Sequence, residues 1–405
     1  MFRTHFERTG QQVTGSIPEA LASADPPLFT EAEFARRSVA VRDAMAEHKL
    51  AALVVYGNTV AHAEVQYLTG YRVTREAVLV VPLTGEPALY VEYFNHVPHA
   101  RRTAAIPDVR WGGPESLAVV AGRDLAARGL SHGRIGLAGT MPWQAHARLR
   151  QEAPSAELVD MTTYLQLLRM VKSNEEIAYL RRGAALTDLA MDAVEQTARP
   201  GITEHDLITA IESAYVRYGG ETHIHYLAST SMRNPDRCVP AQKPSGRRLE
   251  AGDVVITELS ALYQGYPGQI LRPFTIGVLP TDAYCRLFDI AEAVYRQLAE
   301  VIRPGATAED VLDAASVIHD AGFTICDDLV HGFGGGYLQP VIRTRQTGGS
   351  RPPVFTFAEN MTVVIQPNII TPDERMGLQV GELVRVTSTG AESLHTYPRR
   401  FTQCG

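Results

Sequence analysis

Cysteine is scarce in this chain of 405 residues: only Cys238, Cys285, Cys326 and Cys404, with no CxxC spacing among them. That argues against a disulfide framework and a cysteine zinc site, and leaves buried or incidental free thiols as the expected role. Long apolar runs are missing as well. None approaches the roughly 20 residues needed to span a bilayer, and the opening MFRTHFERTGQQVTGS has no hydrophobic signal core. Positive charge is not in excess: 38 Lys and Arg stand against 45 Asp and Glu, a formal −7. A nucleic-acid partner or an anionic membrane is therefore not expected. Acidic tails, basic patches, low-complexity tracts and internal repeats are all lacking. What is left reads as a cytoplasmic enzyme of two or three domains, with ordinary apolar and charged content and slightly raised Gly and Pro.

The first thirty residues are polar and contain proline, so 1–30 is expected to be an arm. From Glu31 onward, helical and strand-like runs alternate. Apolar spacing in EAEFARRSVAVRDAMAEHKL predicts a helix, and AALVVYG a buried strand after it. EAVLVVPL, PALYVEY, VRWGG and GRIGLAG read as further strands, with helices around Pro98–Arg102, Glu115–Arg128 and Trp143–Glu152. This alternation predicts an α/β domain over 31–165, a mixed or parallel sheet flanked by helices. From 166 to 405 long helices come first. Ser173 is placed to cap one of them, three residues before Glu176, and another begins at Thr203–Asp206. THIHYLAS, DVVITELSALY, FTFAENMTVVIQP and LVRVTST then supply strands.

Three segments carry candidate chemistry. In DVVITELSALY, alternation puts Val254, Ile256 and Glu258 on one face. A carboxylate on the buried face of an apolar strand is costly unless it is paired or functional. In THIHYLAS, His223 and His225 are expected to share a face, as pocket lining, a proton relay or a metal pair lacking a visible third ligand. GFGGG after His331 lacks the Lys-Ser/Thr and the strand–loop–helix setting of a phosphate loop.

The stretch GDVVITELSALYQGYPGQILRPFTIG (252–277) resembles the GDLVLIDxGAxYxGYxxDITRTFxxG segment of prolidases and aminopeptidases P, and LRMVKSNEEIAYLRRGAALTDLAMDAV resembles the linker and first helix of creatinase-type proteins. The resemblance to this creatinase/prolidase (M24) family covers nearly the whole chain. It implies a creatinase/prolidase-type α/β N-terminal domain and an α+β pita-bread domain over 166–405. Metallopeptidases of the family hold a metal pair with two Asp, one His and two Glu. At the matching places this sequence has Glu258, Gln269, Gly335 in VHGFGGGY, Gln366 in MTVVIQPNI, and Gly381 with Glu382 one step later. Ala241 falls where the family has a catalytic histidine. One carboxylate of five is too few for a hard divalent cation, so neither a metal nor another cofactor is expected.

The resemblance is to the metal-free branch of the family, with creatinase and ectoine hydrolase. It implies a metal-independent hydrolase that cleaves a C–N bond in an amidine, an amide or a cyclic amino-acid derivative. Glu258 is then the expected nucleophile or general base, with His331 or His223 as proton shuttle. His225, Tyr263, Gln269 and Gln366 are expected to line the pocket, and Arg343 and Arg345 to clamp a substrate carboxylate. Arg272 reads as a framework residue. LTGYRVTREAVLVV resembles the creatinase segment that reaches the neighbouring subunit's substrate, so Tyr71, Arg72 and Arg75 are expected to complete the partner's pocket in a homodimer. Alternatives are a lyase or isomerase with Glu258 as base, a non-catalytic binding module and, last, a metal-dependent Xaa-Pro peptidase.

Overall fold

A computed structural model describes residues 29–348 and 354–405, so almost all of the expected arm lies outside the described residues. The chain divides into two compact units, Asp25–Arg169 and Met170–Gly405.

In the first unit six strands form one mixed sheet. They are β1 (Ala52–Asn58), β2 (Glu76–Pro82), β3 (Ala88–Val91), β4 (Val109–Trp111), β5 (Arg134–Ala138) and β6 (Glu157–Asp160), in the order β4-β3-β2-β1-β5-β6. β1 is apolar almost throughout because both of its faces are covered. Leu53 and Val55 point into a core shared with helix α1 (Glu31–Glu47), and Ala52, Val54 and Tyr56 into one shared with α4 (Leu117–Ala127) and α5 (Trp143–Glu152). Short helices α2 (Ala63–Thr69), α3 (Val97–Thr103) and α6 (Thr162–Leu168) complete the first of these layers. Seven-residue α2 has too little periodic signal to stand out in the sequence.

The second unit opens with α7 (Asn174–Thr197) and α8 (Glu204–Val216). Both start in capping boxes: the Ser173 side chain accepts from the Glu176 N–H and the Thr203 side chain from the Asp206 N–H, with the acidic side chain returning a bond each time. A curved sheet follows, with the path β12-β11-β13-β16-β10-β8-β7. Its strands are β7 (Glu221–Ser231), β8 (Asp253–Tyr263), β9 (Tyr266–Pro267), β10 (Ile270–Ile276), β11 (Val330–Phe333), β12 (Tyr337–Ile342), β13 (Thr362–Ile365), β16 (Gly381–Thr387), β17 (Gly390–Ser393) and β18 (Thr402–Cys404), and a separate hairpin pairs β14 (Asn368–Ile370) with β15 (Gly377–Gln379). Alternation along β8 sends Val255, Leu259 and Ala261 to the α7–α8 core and Val254 to the core around helix α9 (Asp282–Val301). Glu258 has the parity of Val254. The strand expected from Phe355 begins only at Thr362, because Asn360 sits at φ 66° in the turn before it.

Candidate active site

Glu258 lies in the middle of β8, opposite Tyr226 on β7 and Leu271 on β10. A cavity of about 420 Å³ opens in front of it. Its floor is buried and consists of Glu258, Gln269, His331, Gln366 and Gln379; its mouth carries the exposed side chains of His223, Gln242, Cys326 and Tyr337. Four strands and the hairpin deliver the floor. Gln269 precedes β10, Gln366 follows β13, His331 pairs with Val364 across β11 and β13, and Gln379 ends β15.

The floor is a chain of amides around one carboxyl. Gln269 Nε2 donates to Glu258 Oε1 at 2.9 Å and lies 3.3 Å from Gln366 Oε1, while Gln366 Nε2 donates to the Asp328 carbonyl at 3.1 Å. Gln379 lines the same floor, and its Oε1 is buried without a partner. Burial, and then the neighbouring Asp327 charge, push Glu258 up to about 8. Asp327 is itself raised, by burial first and by Asp328 next. His331 is driven the other way, down to about 4, by complete burial. Its Nδ1 faces the Gly332 carbonyl at 3.2 Å. A carbonyl only accepts, so Nδ1 carries the proton and Nε2 is left as an acceptor. Tyr337 stacks on His331 at 4.4 Å, and the Phe333 ring stands between His331 and His223. His223, at the rim, is also lowered by its surroundings.

A metal pair fits these donors poorly. The Gln269 amide N–H aims at the Glu258 carboxylate, where a cation would need lone pairs. Glu382 is not available either. It is buried against Arg272, accepts from Tyr295 at 2.9 Å and Arg399 at 3.0 Å, and belongs to the framework. Burial alone would raise its carboxyl, but the Arg272 charge, helped by Arg399, holds it at about 2. At Gly381 a Cβ would lie 2.2 Å from the Ile365 carbonyl oxygen and 2.7 Å from Gln366 Cα, so no side chain can project there. Among the described residues no cluster of three or more His, Cys, Asp and Glu could hold a metal ion.

Several sequence expectations need correction. Gly335, at φ 73° in the turn between β11 and β12, does not line the cavity, and His331 is the residue this segment offers to it. His225 does not share the face of His223. The β7 register shifts between Thr222 and Ile224, so His223 joins Ile224 and Tyr226 on the cavity side while His225 is buried behind the sheet, 2.7 Å from the Tyr215 hydroxyl. Tyr263 packs in the α7–α8 core and accepts from Arg182 at 3.0 Å, away from the cavity. Arg343 does not line the cavity but ion-pairs with Asp328 at 2.9 Å, and Arg345 pairs with Glu309 and Asp313 on the surface. Tyr71, Arg72 and Arg75 belong to the first unit. There Tyr71 is buried with its hydroxyl 3.2 Å from Thr74, and half-exposed Arg75 lies 3.9 Å from Glu92 and over the Tyr93 ring. Arg272 has the framework position expected: fully buried, it donates to the carbonyls of Leu271, Gly381, Tyr397 and Pro398. Asp327 and Gln379 were missed. The Asp327-Asp328 pair before Leu329-Val330 was a visible signal, but Gln379, in a three-residue strand, had none.

The family profile described as metallopeptidase family M24 matches residues 178–388, and the creatinase/prolidase N-terminal domain profile matches 37–171. The chain belongs to family M24. Among its relatives, a probable dipeptidase PepE of Mycobacterium tuberculosis is 28% identical over 92% of this chain and 97% of its own length. The creatinase of a Bacillus species is 24% identical, over 92% of each chain. Of solved structures, dipeptidase PepE from Mycobacterium ulcerans aligns with a TM-score of 0.76 at 25% identity, covering 93% of this chain and 99% of that one. The prolidase from Pyrococcus horikoshii aligns with a TM-score of 0.77 at 20% identity over 90% and 99%, a likeness of fold. This M24 chain is therefore a two-domain protein of a hydrolase family with the pita-bread fold, and no helix among its described residues is long and apolar enough to cross a membrane.

Proposed function

We propose that this M24 protein is a metal-independent hydrolase that cleaves a C–N bond of a small amidine, amide or cyclic amino-acid derivative. The observation that carries the reading is the buried Glu258 carboxyl, raised to about 8 and surrounded by neutral amides in a closed-floored cavity. A group with a pKa near the working pH exchanges a proton readily in both directions. Glu258 takes the proton of a water as its oxygen adds to the substrate carbon, and returns that proton to the nitrogen as the C–N bond breaks. The unpartnered Gln379 Oε1 accepts an N–H of the substrate and so selects for a nitrogen-bearing group. Neutral His331, with only Nε2 free to accept, holds the reacting group or Gln366 in place. His223, at the mouth, passes protons to solvent. Names of relatives such as Xaa-Pro dipeptidase favour metal-dependent peptide hydrolysis instead; the floor of amides and the blocked Gly381 position weigh against it.

Among the described residues, none that lines the cavity is Lys or Arg. A substrate carboxylate would then need a cation from elsewhere, and we place Arg75 of a neighbouring subunit in that role, with Arg72, in a cytoplasmic homodimer, while Tyr71 is buried within its own unit. The activity is tested by incubating the protein with a panel of small amides, amidines and lactams in excess EDTA and following amine release. Release by the wild type but not by Glu258→Gln supports the reading, and release that EDTA abolishes refutes it.

A further inference from the structure

Tyr337 is half-exposed at the cavity mouth, yet both ends of its side chain are engaged. Its ring stacks on the buried His331 imidazole, with centroids 4.4 Å apart and planes 20° from parallel. Phe333 meets the same imidazole edge-on at 5.5 Å. The Tyr337 hydroxyl donates to Asp328 Oδ2, and Asp328 Oδ1 accepts from Arg343 Nε at 2.9 Å. The carbonyl of that same Asp328 accepts from Gln366 and Asn368, at 3.1 Å each. One buried residue thus ties the ring at the mouth to an amide of the floor. Strand geometry sets up the stack. β11 and β12 pair Phe333 with Tyr337 and Gly332 with Leu338, but His331 with Val341, so the register shifts by Gln339 and Pro340. An irregularity of this kind re-aims a side chain. Close approach there depends on a glycine: a Cβ at Gly332 would lie 2.0 Å from the Gln339 carbonyl oxygen.

We propose that Tyr337 is the positioning residue of His331: anchored through Asp328, its ring fixes the imidazole with Nδ1 on the Gly332 carbonyl and Nε2 left to accept in the cavity. An imidazole held between a stacked and an edge-on aromatic ring cannot turn without losing both contacts. The stack also takes water from one face of the imidazole, which opposes its charged form. The contrary effect is attraction of an imidazolium to the phenol face. Several other groups face His331. Asp328 stands behind the Tyr337 hydroxyl, with Arg343 beyond it; His223 lies across the Phe333 ring; Glu258 and Asp327 line the same cavity. Asp328 favours an imidazolium, but burial prevails and His331 stays neutral. The catalytic consequence rests on the hydrolytic reading of the site, whereas the positioning itself does not.

The test follows the His331 ring nitrogens in the whole protein by proton–nitrogen NMR, with His331→Asn to assign them. In the wild type the Nδ1–H tautomer should persist and titrate only at about 4. Tyr337→Ala should mix the tautomers and move the titration up toward 6.5. Tyr337→Phe keeps the ring and should stay nearer the wild type than the alanine variant does. Tyr337→Thr, a small side chain that suits a strand, replaces the alanine variant if that one does not fold. With a substrate from the amine-release panel, kcat should fall about tenfold or more in the alanine variant, with KM little changed, and recover in the phenylalanine one. Identical His331 titrations in wild type and alanine variant would overturn the positioning. So would a titration moved downward, since the phenol face would then have been stabilising the imidazolium. A raised titration with unchanged kcat would overturn its service to the reaction. If the wild type releases no amine at all, the hydrolytic reading fails and the titration alone decides this inference.

Discussion

Replacing Glu258 by glutamine keeps the volume and one oxygen acceptor, and removes the proton that the site trades. Ordinary glutamate titrates at 4.5, and Glu258 is raised to about 8 because burial and the Asp327 charge disfavour its ionised form. At about 1.4 kcal/mol per pH unit, ionised Glu258 costs the fold on the order of 5 kcal/mol. The sign follows from proton binding. Below pH 4.5 folded and unfolded chains both hold the proton, and the carboxyl costs nothing. Between 4.5 and about 8 only the folded chain keeps it, so stability falls as pH rises, and above 8 the full cost is present. Glu258→Gln should therefore match the wild type at pH 5 and exceed it at pH 9, by roughly 10 °C in Tm for a unit of this size. Scanning calorimetry of both proteins at the two pH values reads this without any substrate. Turnover should show the opposite benefit: kcat lower by about 100-fold or more with KM little changed, and wild-type kcat/KM rising with pH through about 8 as the base form appears. A variant no more stable than the wild type at pH 9, or one with normal kcat, would refute the assignment.

Two further outcomes follow from the same geometry. Gly381→Ala puts a Cβ within 2.2 Å of the Ile365 carbonyl oxygen and should cost about 1–3 kcal/mol in urea unfolding; wild-type stability would mean that the position can carry a ligand side chain after all. Arg75→Ala should raise KM for substrates bearing a carboxylate and leave KM for neutral ones unchanged in a sedimenting dimer. Full activity in a dilute monomer would remove the cross-subunit role.

The fold was largely legible because its signals are local. The capping boxes at Ser173 and Thr203, the apolar β1 and β2, and the alternation that turns Glu258 to the face of Val254 all follow from neighbouring residues. The floor of the site was legible from alternation only at Glu258, on the long strand β8; Gln269 and Gln366 were found through the family resemblance. Legibility failed where a single backbone irregularity sets the side-chain direction. A register shift in β7 separated His223 from His225. It failed also for contacts between distant segments. Nothing local shows that Arg343 is engaged by Asp328, or that Tyr263 turns to Arg182.

Metal independence is the central claim, and titration calorimetry of Mn²⁺ into the EDTA-stripped, dialysed protein tests it most directly. With Gln269 and Gln366 turning amides into the site, Glu382 bound to Arg272 and Gly381 blocked, the account predicts no saturable binding that depends on the cavity. Stoichiometric uptake of one or two ions per chain, lost in Glu258→Gln, would contradict it.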